Sequence, residues 1–406
     1  MNDYERRARE GVQRTVFAAA KPTFGESACC PYVRYSIRTA DPSATGRTQE
    51  LLRFLHDAAA RKAFLFGHQN AAHHGVSIKK TDGSDSDIKR ISGSHPAVVG
   101  IDALSLTGYE GAFDDTVRMT RRLHDEKVII TISMHAPNFA VCGEDFAGYS
   151  PNLTTPAVAS DIMPGGSLNA KYTRYLDLLA KYADACRDES GEPIPMIFRP
   201  FHENNGSWFW WGADFTTPHE YKDLFRYTIE YLREEKGIHH FLYAYSPNGP
   251  FADEADYLER YPGDDYVDII GFDMYHDRPT SEDDGMDVLV RTSRQVCGIA
   301  RDRHKVAAVT EAGIRMLDTA ADGRLYEGLS PTDNTRPDWF GECLEAVTND
   351  SLASGIAYFL VWANFSPEQF WVPYIIDDTR GHEMINPFTE FLNDPRVILA
   401  RELPEI

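Results

Sequence analysis

The chain of 406 residues has few cysteines, no long apolar run and fewer basic than acidic residues. No stretch is long enough to span a membrane, and residues 1–21 lack the apolar core of a signal peptide. We therefore expect a cytoplasmic protein, or an extracellular one if an export signal has been trimmed. The six cysteines show no paired metal-ligand spacing and are too sparse for a disulfide framework; they are Cys29, Cys30, Cys142, Cys186, Cys297 and Cys343.

The shortage of basic residues limits the partners of the chain. Lys and Arg total 41 against 62 Asp and Glu, which gives a net charge of −21. Such a surface repels nucleic acid and anionic lipid, so we expect neither as a partner, whereas a neutral polysaccharide is not repelled. The acidity is equally compatible with a role in solubility alone.

Three catalytic motifs are also missing. No glycine-rich turn follows the first apolar run, which argues against a dinucleotide site. The chain has no HExxH and no GxSxG, so it gives no support to a zinc hydrolase or to a serine hydrolase. We expect neither a metal nor a cofactor.

What the chain does contain is a repeating pattern of apolar runs and amphipathic segments. Amphipathic segments at 116–126, 172–188 and 219–237 predict helices. The eight runs, rich in Val, Ile, Leu and Phe as doubly buried strands are, lie at 64–69, 97–104, 128–135, 195–203, 241–248, 267–275, 306–313 and 356–364.

Strands that alternate with helices predict a parallel sheet, and eight such units favour an α/β fold of the (β/α)₈ TIM barrel type. An open, doubly wound sheet is the alternative. Residues 1–45 show no sustained periodicity, so we expect an N-terminal extension there and a single catalytic domain over 46–406.

Each predicted strand ends in a polar or aromatic residue. Packing alone gives no reason for this, and in a barrel enzyme the reacting groups lie at the carboxyl ends of the strands. The residues, in chain order, are His68, Asp102, His135, His202 with Glu203, Asn248, Asp273 with Tyr275, Glu311, and Trp362. The set therefore predicts one site on one rim.

Glu203 is the first candidate catalytic residue. It follows a buried strand, next to His202 and ahead of a tryptophan-rich stretch at 208–211. Partial desolvation there would raise its pKa and suit it to act as a general acid. The structural alternative is a buried glutamate paired with Arg199.

Glu311 is the second candidate, and we expect Gly313 to turn the chain sharply just beyond it. A carboxylate nucleophile needs hydrogen-bond donors, for which Tyr275 and Arg199 are candidates; a structural salt bridge is the alternative. Paired carboxylates are typical of glycosidases, in which their separation distinguishes retention from inversion. Sequence spacing does not give that separation.

Aromatic residues suit a carbohydrate site, because sugar C–H faces stack on indole rings. We expect Trp208 and Trp362 to bind substrate, since they flank the two carboxylates, and filling the core is the alternative for any single tryptophan. All six are expected in loops or at strand ends: Trp208, Trp210, Trp211, Trp339, Trp362 and Trp371.

With these residues in view, the chain resembles glycoside hydrolase family 26, best known for β-mannanases. The matching segments between about 64 and 364 are LFGHQN (65–70), SDIKRISGSHPAVVGIDAL (86–104), SMHAPN (133–138), FRPFHENNGSWFWWG (198–212), GFDMYH (271–276), VTEAG (309–313) and VWAN (361–364). The segment around Glu203 is the most specific of these.

The resemblance implies a retaining enzyme in which Glu203 is the acid/base and Glu311 the nucleophile. It implies that His202 tunes Glu203 and that Tyr275 donates to Glu311. It also implies that the subsites are lined by His135, Trp208, Asp273 and Trp362. Met316 and Ala363 stand where relatives often have an aromatic and a basic residue, which bears on how the sugar on the non-reducing side is held.

The implied substrate is a β-1,4-mannan, glucomannan or galactomannan. Three alternatives stay open. They are an exo-acting enzyme that releases mannobiose, a β-1,3-1,4-glucanase or β-1,3-xylanase of the same family, and an inactive glycan-binding protein. The last is expected to lack a catalytic carboxylate, yet both are present.

Overall fold

In the computed structural model, which describes residues 37–319, 325–377 and 380–405, the central sheet has nine parallel strands, of which eight form the barrel. Every residue of the first five is buried, as expected for strands covered on both faces. The strands are β1 (Phe64–Gln69), β2 (Val98–Asp102), β3 (Ile129–Met134), β4 (Met196–Pro200), β5 (Phe241–Tyr245), β6 (Ile269–Asp277), β7 (Val306–Arg315) and, after two short strands, β10 (Ile356–Val361).

The sheet closes on itself. β1 pairs with β2 on one side and with β10 on the other, in the register Leu65 to Tyr358 and His68 to Val361. Closure confirms the predicted (β/α)₈ barrel. The open, doubly wound alternative is wrong, because an open sheet would not pair β1 with β10. All eight predicted strands are present.

Helices separate the strands and confirm the three predicted segments. One of these begins at Pro218 and is capped by Thr217, whose hydroxyl accepts from the Glu220 N–H in a capping box. The helices are α1 (Gly46–Ala60), α2 (Asp87–Ser92), α3 (Ala112–Asp125), α4 (Val158–Asp161), α5 (Asn169–Ala185), α6 (Pro218–Glu230), α7 (Glu254–Leu258), α8 (Gly285–Asp302), α9 (Trp339–Asn349) and α10 (Ile385–Asn393).

The core has two layers, because successive strand side chains point to opposite faces. Phe64 and Phe66 belong to the layer that packs against the outer helices, whereas Leu65 belongs to the inner layer. Leu51 and Leu55 of α1 join that inner layer. α1 therefore closes the amino end of the barrel and leaves the carboxyl end free for a site.

Smaller elements surround the barrel. β9 (Leu325–Gly328) pairs with β8 (Asp318–Thr319) and with β11 (Gln369–Phe370), and β12 (Ile375–Asp377) pairs with β13 (Arg380–Gly381). β14 (Val397–Ile398) pairs with β1.

The amino end of the barrel is also tied to the preceding chain. The Ala40 N–H donates to Asp268, which lies just before β6. Of the predicted extension, residues 1–36 lie outside the described residues, and so do Cys29 and Cys30. Within the described ranges, no helix is both long and apolar enough to cross a bilayer.

Candidate active site

Glu203 lies just beyond the carboxyl end of β4, where the backbone is unusual. Phe201 and Glu203 have φ values of 50° and 51°, in the left-handed region that non-glycine residues seldom adopt. The Glu203 N–H donates to the Ser246 carbonyl at 2.8 Å, which ties this turn to the end of β5. A strained turn held by a neighbouring strand places a side chain firmly, as a reacting group requires.

The surroundings of the Glu203 carboxyl favour its protonated form. Only 8% of the residue is exposed. Burial, together with the negative charge of Glu311, raises the pKa of Glu203 to about 7. Trp208 Nε1 donates to Oε2 at 2.7 Å, so Oε1 is the oxygen free to carry a proton. Glu203 is therefore equipped to donate a proton near neutral pH.

Glu311 lies on β7, where both of its carboxylate oxygens meet hydrogen-bond donors. Arg199 Nη2 donates to Oε2 at 2.7 Å, and the Tyr275 hydroxyl donates to Oε1 at 2.6 Å. Burial and the charge of Glu311 raise the pKa of Tyr275 well above its usual value, so Tyr275 keeps the proton that it donates. Both carboxylate oxygens accept hydrogen bonds, which suits a nucleophile that reacts as an anion.

Arg199, on β4, connects that strand to Asp273 on β6 and to Glu311 on β7. Its guanidinium is fully buried and also donates to Asp273 at 2.8 Å and to Ser246 at 3.2 Å. The alternative in which Arg199 pairs with Glu203 is wrong, because its carboxylate partners are Glu311 and Asp273. A buried cation shared by two carboxylates fixes the orientation of Glu311.

Asp102, His135 and His202 form a buried row beside the carboxylates. Asp102 Oδ2 accepts from His135 Nδ1 at 2.6 Å, and the Nε2 atoms of His135 and His202 are 3.2 Å apart. Burial alone would lower the pKa of His135, but the Asp102 carboxylate outweighs it and the pKa is raised. Burial and the nearby cations Arg199 and His135 hold the pKa of His202 well below its usual value. The pKa values of the two imidazoles are therefore shifted in opposite directions, and His202, whose pKa is lowered, directly precedes Glu203 in the chain.

Aromatic side chains flank the carboxylates and remain open to solvent. Trp208 is 42% exposed and Tyr149 55%. The rings of Tyr149 and Trp362 each lie 5.8 Å from that of His135, and Phe365 lies 6.3 Å from Trp362. Flat apolar faces around polar groups form the kind of surface on which sugar rings stack.

Eight residues were predicted to catalyse the reaction or to bind substrate, and the structure brings all eight together at the carboxyl end of the barrel. They differ in how deeply they are buried. Trp208, Trp362 and Tyr275 are partly exposed, and Glu203, Glu311 and His135 are nearly buried. His202 and Asp273 lie beneath them at 1% and 0% exposure, and Asp273 is occupied by Arg199 and by the Thr310 hydroxyl. These two therefore support the side chains above them.

Two details of the sequence prediction are wrong. Gly313 does not turn the chain, because β7 continues to Arg315. The glycine instead makes room for Trp371, whose Cδ1 would lie 2.3 Å from an added Cβ. Trp339 begins helix α9 rather than lying in a loop. Trp339, Trp371, Trp210 and Trp211 are buried and fill the core.

The structure also places Asp102 and Arg199 in the site; the sequence had indicated Asp102 as a residue that ends a strand and Arg199 as a candidate donor to Glu311. It adds Tyr149, which the sequence did not indicate, because this residue lies in a long loop without periodicity. Within the described ranges, no group of three or more His, Cys, Asp or Glu side chains is arranged to hold a metal ion.

Comparisons with known proteins agree with this geometry. The sequence profile of glycosyl hydrolase family 26 matches residues 40–318. The chain is 37% identical over 343 residues to a mannan endo-1,4-beta-mannosidase of Bifidobacterium adolescentis; the match covers 81% of this chain but only 32% of that relative. The chain thus spans about a third of the length of that relative.

Two solved structures are similar over most of the chain. The catalytic domain of a family 26 endo-beta-1,4-mannanase from Bacillus sp. JAMB-750 shares 37% identity with a TM-score of 0.82, over 90% of this chain and 94% of that one. A modular endo-beta-1,4-mannanase from Cellulomonas fimi shares 34% identity with a TM-score of 0.80, over 91% and 79% respectively. By its sequence profile, its barrel and these relatives, the chain belongs to glycosyl hydrolase family 26.

Proposed function

We propose that this chain is a retaining mannan endo-1,4-β-mannosidase that cleaves β-1,4-mannosidic bonds in mannan, glucomannan or galactomannan. The observation that carries the proposal is the contrast between two carboxyl groups on one barrel rim. Glu203 has a pKa of about 7 and an oxygen free to hold a proton, whereas Glu311 accepts from Arg199 and Tyr275. The names of the relatives support mannan as the substrate.

The first step of the proposed reaction forms a glycosyl-enzyme. Glu311 attacks the anomeric carbon while Glu203 gives its proton to the departing glycosidic oxygen. The C–O bond to the leaving sugar breaks as the bond to Glu311 forms. Attack consumes the negative charge of Glu311, and Arg199 keeps the remaining carbonyl oxygen oriented.

The second step releases the sugar. Glu203, now ionised, removes a proton from water, and the resulting nucleophile displaces Glu311 from the anomeric carbon. Two inversions give net retention, and Glu203 and Glu311 return to their starting protonation states. Trp208 donates to Glu203, and we expect its exposed ring to stack against the leaving sugar.

Substrate comparison tests the proposal. We expect the purified chain to release oligosaccharides of several lengths from locust bean gum and konjac glucomannan, and little product from barley β-glucan. The first products observed by NMR should be β-anomers. Glu311→Ala should abolish release, whereas the control Glu342→Ala, a glutamate paired with Arg336 away from the site, should leave it intact.

The outcomes separate the proposal from its alternatives. Faster release from barley β-glucan or β-1,3-xylan than from any mannan would reassign the substrate. Mannobiose as the sole early product would indicate exo action, and first products in the α-configuration would contradict retention. Binding to mannan without any release would indicate a glycan-binding protein.

A further inference from the structure

Arg315 ends β7 next to Tyr275 and takes no part in the reaction described above. Its guanidinium carbon is 4.4 Å from the centroid of the Tyr275 ring, which is stacking distance for a cation on an aromatic face. Asp277 lies directly opposite Arg315 in the β6–β7 register. It accepts from Arg315 Nε at 2.7 Å and from Nη2 at 3.0 Å.

This double contact fixes the plane of the guanidinium. A carboxylate that accepts from two adjacent N–H groups holds an arginine in one orientation, which a lysine could not reproduce. The side chain of Arg315 is 37% exposed, so it lies at the protein surface rather than in the core. The strand pairing, the ion pair with Asp277 and the contact with the Tyr275 ring all position the guanidinium of Arg315.

Tyr275 is the group that this arrangement holds. Its hydroxyl donates to Glu311 at 2.6 Å, and its ring is only half-buried. A half-buried ring can swing towards solvent about its Cα–Cβ bond, which would carry the hydroxyl away from Glu311. Arg315 covers one face of the ring and opposes that movement.

We propose that Arg315 is a positioning residue that holds the Tyr275 hydroxyl on the nucleophile Glu311. The proposal rests on the proposed function, in which Glu311 is the nucleophile. The contact between Arg315 and Tyr275 depends on the strand register. β7 must continue four residues beyond Glu311 and pair with β6 as far as Asp277. Through this register, the ion pair of Arg315 and Asp277 at the surface holds Tyr275, which in turn donates to Glu311.

The charge of Arg315 has a second effect that a test can use. Burial and Glu311 raise the pKa of Glu203, and Arg315 is one of two arginines that lower it, the other being Arg199. Within the part of the chain that the structure describes, the other charged or titratable neighbours of Arg315 include Asp277, which neutralises part of its charge, Tyr275, and Arg278, whose N–H donates to the Arg315 carbonyl. Removal of the Arg315 charge should therefore raise the pKa of Glu203.

A double-mutant cycle tests the positioning role. Arg315→Met and Tyr275→Phe should each lower kcat on mannohexaose by about tenfold or more, with little change in KM. If Arg315 acts through the Tyr275 hydroxyl, the double variant should be no more than about twofold worse than Tyr275→Phe alone. The alkaline limb of kcat/KM for Arg315→Met should also move up by about 0.5 pH unit.

Two further variants complete the design. Arg315→Lys keeps the charge and loses the fixed plane, so it should lower kcat without moving the alkaline limb. The matched control is Arg303→Met, because Arg303 lies 5.3 Å from the Tyr261 ring and pairs with Asp264 at the amino end of the barrel. It should leave both kcat and the limb unchanged.

The results that would overturn the inference are distinct from those that would overturn the function. Multiplicative losses in the double variant, or a rise in KM with kcat unchanged, would show that Arg315 contacts substrate instead of holding Tyr275. Wild-type kcat in Arg315→Met would show that the contact is dispensable. Inactivity of the wild-type chain on every mannan would contradict the proposed function, whatever the variants do.

Discussion

The hydrogen bond from Trp208 to Glu203 makes a prediction about the pH dependence of the reaction. The first step needs Glu203 protonated, so kcat/KM should fall as the pH rises through the pKa of the free enzyme's acid, which is about 7. Trp208 Nε1 donates to Oε2 at 2.7 Å and so favours the ionised form. Trp208→Phe removes the donor and should raise the pKa.

The size of this shift follows from the contact. A hydrogen bond to a charged group is worth roughly 1.5–3 kcal/mol, and one pKa unit corresponds to about 1.4 kcal/mol, so full loss would shift the pKa by about 1–2 units. Trp208 is 42% exposed, so water replaces part of the lost interaction. We therefore expect the alkaline limb to move up by about 1 unit.

The assay is kcat/KM on mannohexaose across the pH range at constant ionic strength. Absolute rates should also fall, because Trp208→Phe reduces the surface that stacks on sugar, but the position of the limb does not depend on that loss. The control is Trp210→Phe, which removes an indole N–H that donates to the Ala136 carbonyl instead of to a carboxylate. A limb that stays in place or moves down in Trp208→Phe would refute the assigned donor.

Two further predictions concern the nucleophile and the barrel. Tyr275→Phe leaves Glu311 with Arg199 as its remaining donor and should lower kcat by about 10–100-fold at a nearly unchanged melting temperature; wild-type kcat would contradict the role of the hydroxyl. Asp268→Ala leaves the Ala40 and Tyr243 N–H groups without their buried acceptor. The free energy of unfolding in urea should therefore fall by about 2–4 kcal/mol while kcat/KM is retained. Unchanged stability would contradict this account.

The sequence was sufficient for the barrel because a strand buried on both faces must be apolar along its whole length. The polar residue that ends each run marks the rim, which is how Glu203 and Glu311 were found without knowledge of their separation. Helices such as α8 and α9 were not identified, although both carry apolar faces. Their boundaries depend on which strands they cover.

The sequence offered Tyr275 and Arg199 as donors to Glu311, and both contacts are present, but the other partners of the site residues could not be predicted because the strand register sets them. Arg199 meets Asp273 and Glu311 across 74 and 112 residues of chain, and only the closed sheet places those three side chains together. Gly313 was misinterpreted for the same reason: its neighbour Trp371 lies in a distant loop. Tyr149 joins the site through a loop whose course depends on tertiary contacts.

The central claim, that Glu203 is the acid/base and Glu311 the nucleophile, is tested most directly by the mass of Glu203→Ala after reaction with 2,4-dinitrophenyl β-mannobioside. Dinitrophenolate leaves without a proton, so the first step should proceed, whereas the second step lacks its base. We expect a burst of phenolate, one added mannobiosyl mass on the peptide that contains Glu311, and its release by azide as the β-azide. A variant with no burst, no added mass and no response to azide would contradict the assignment.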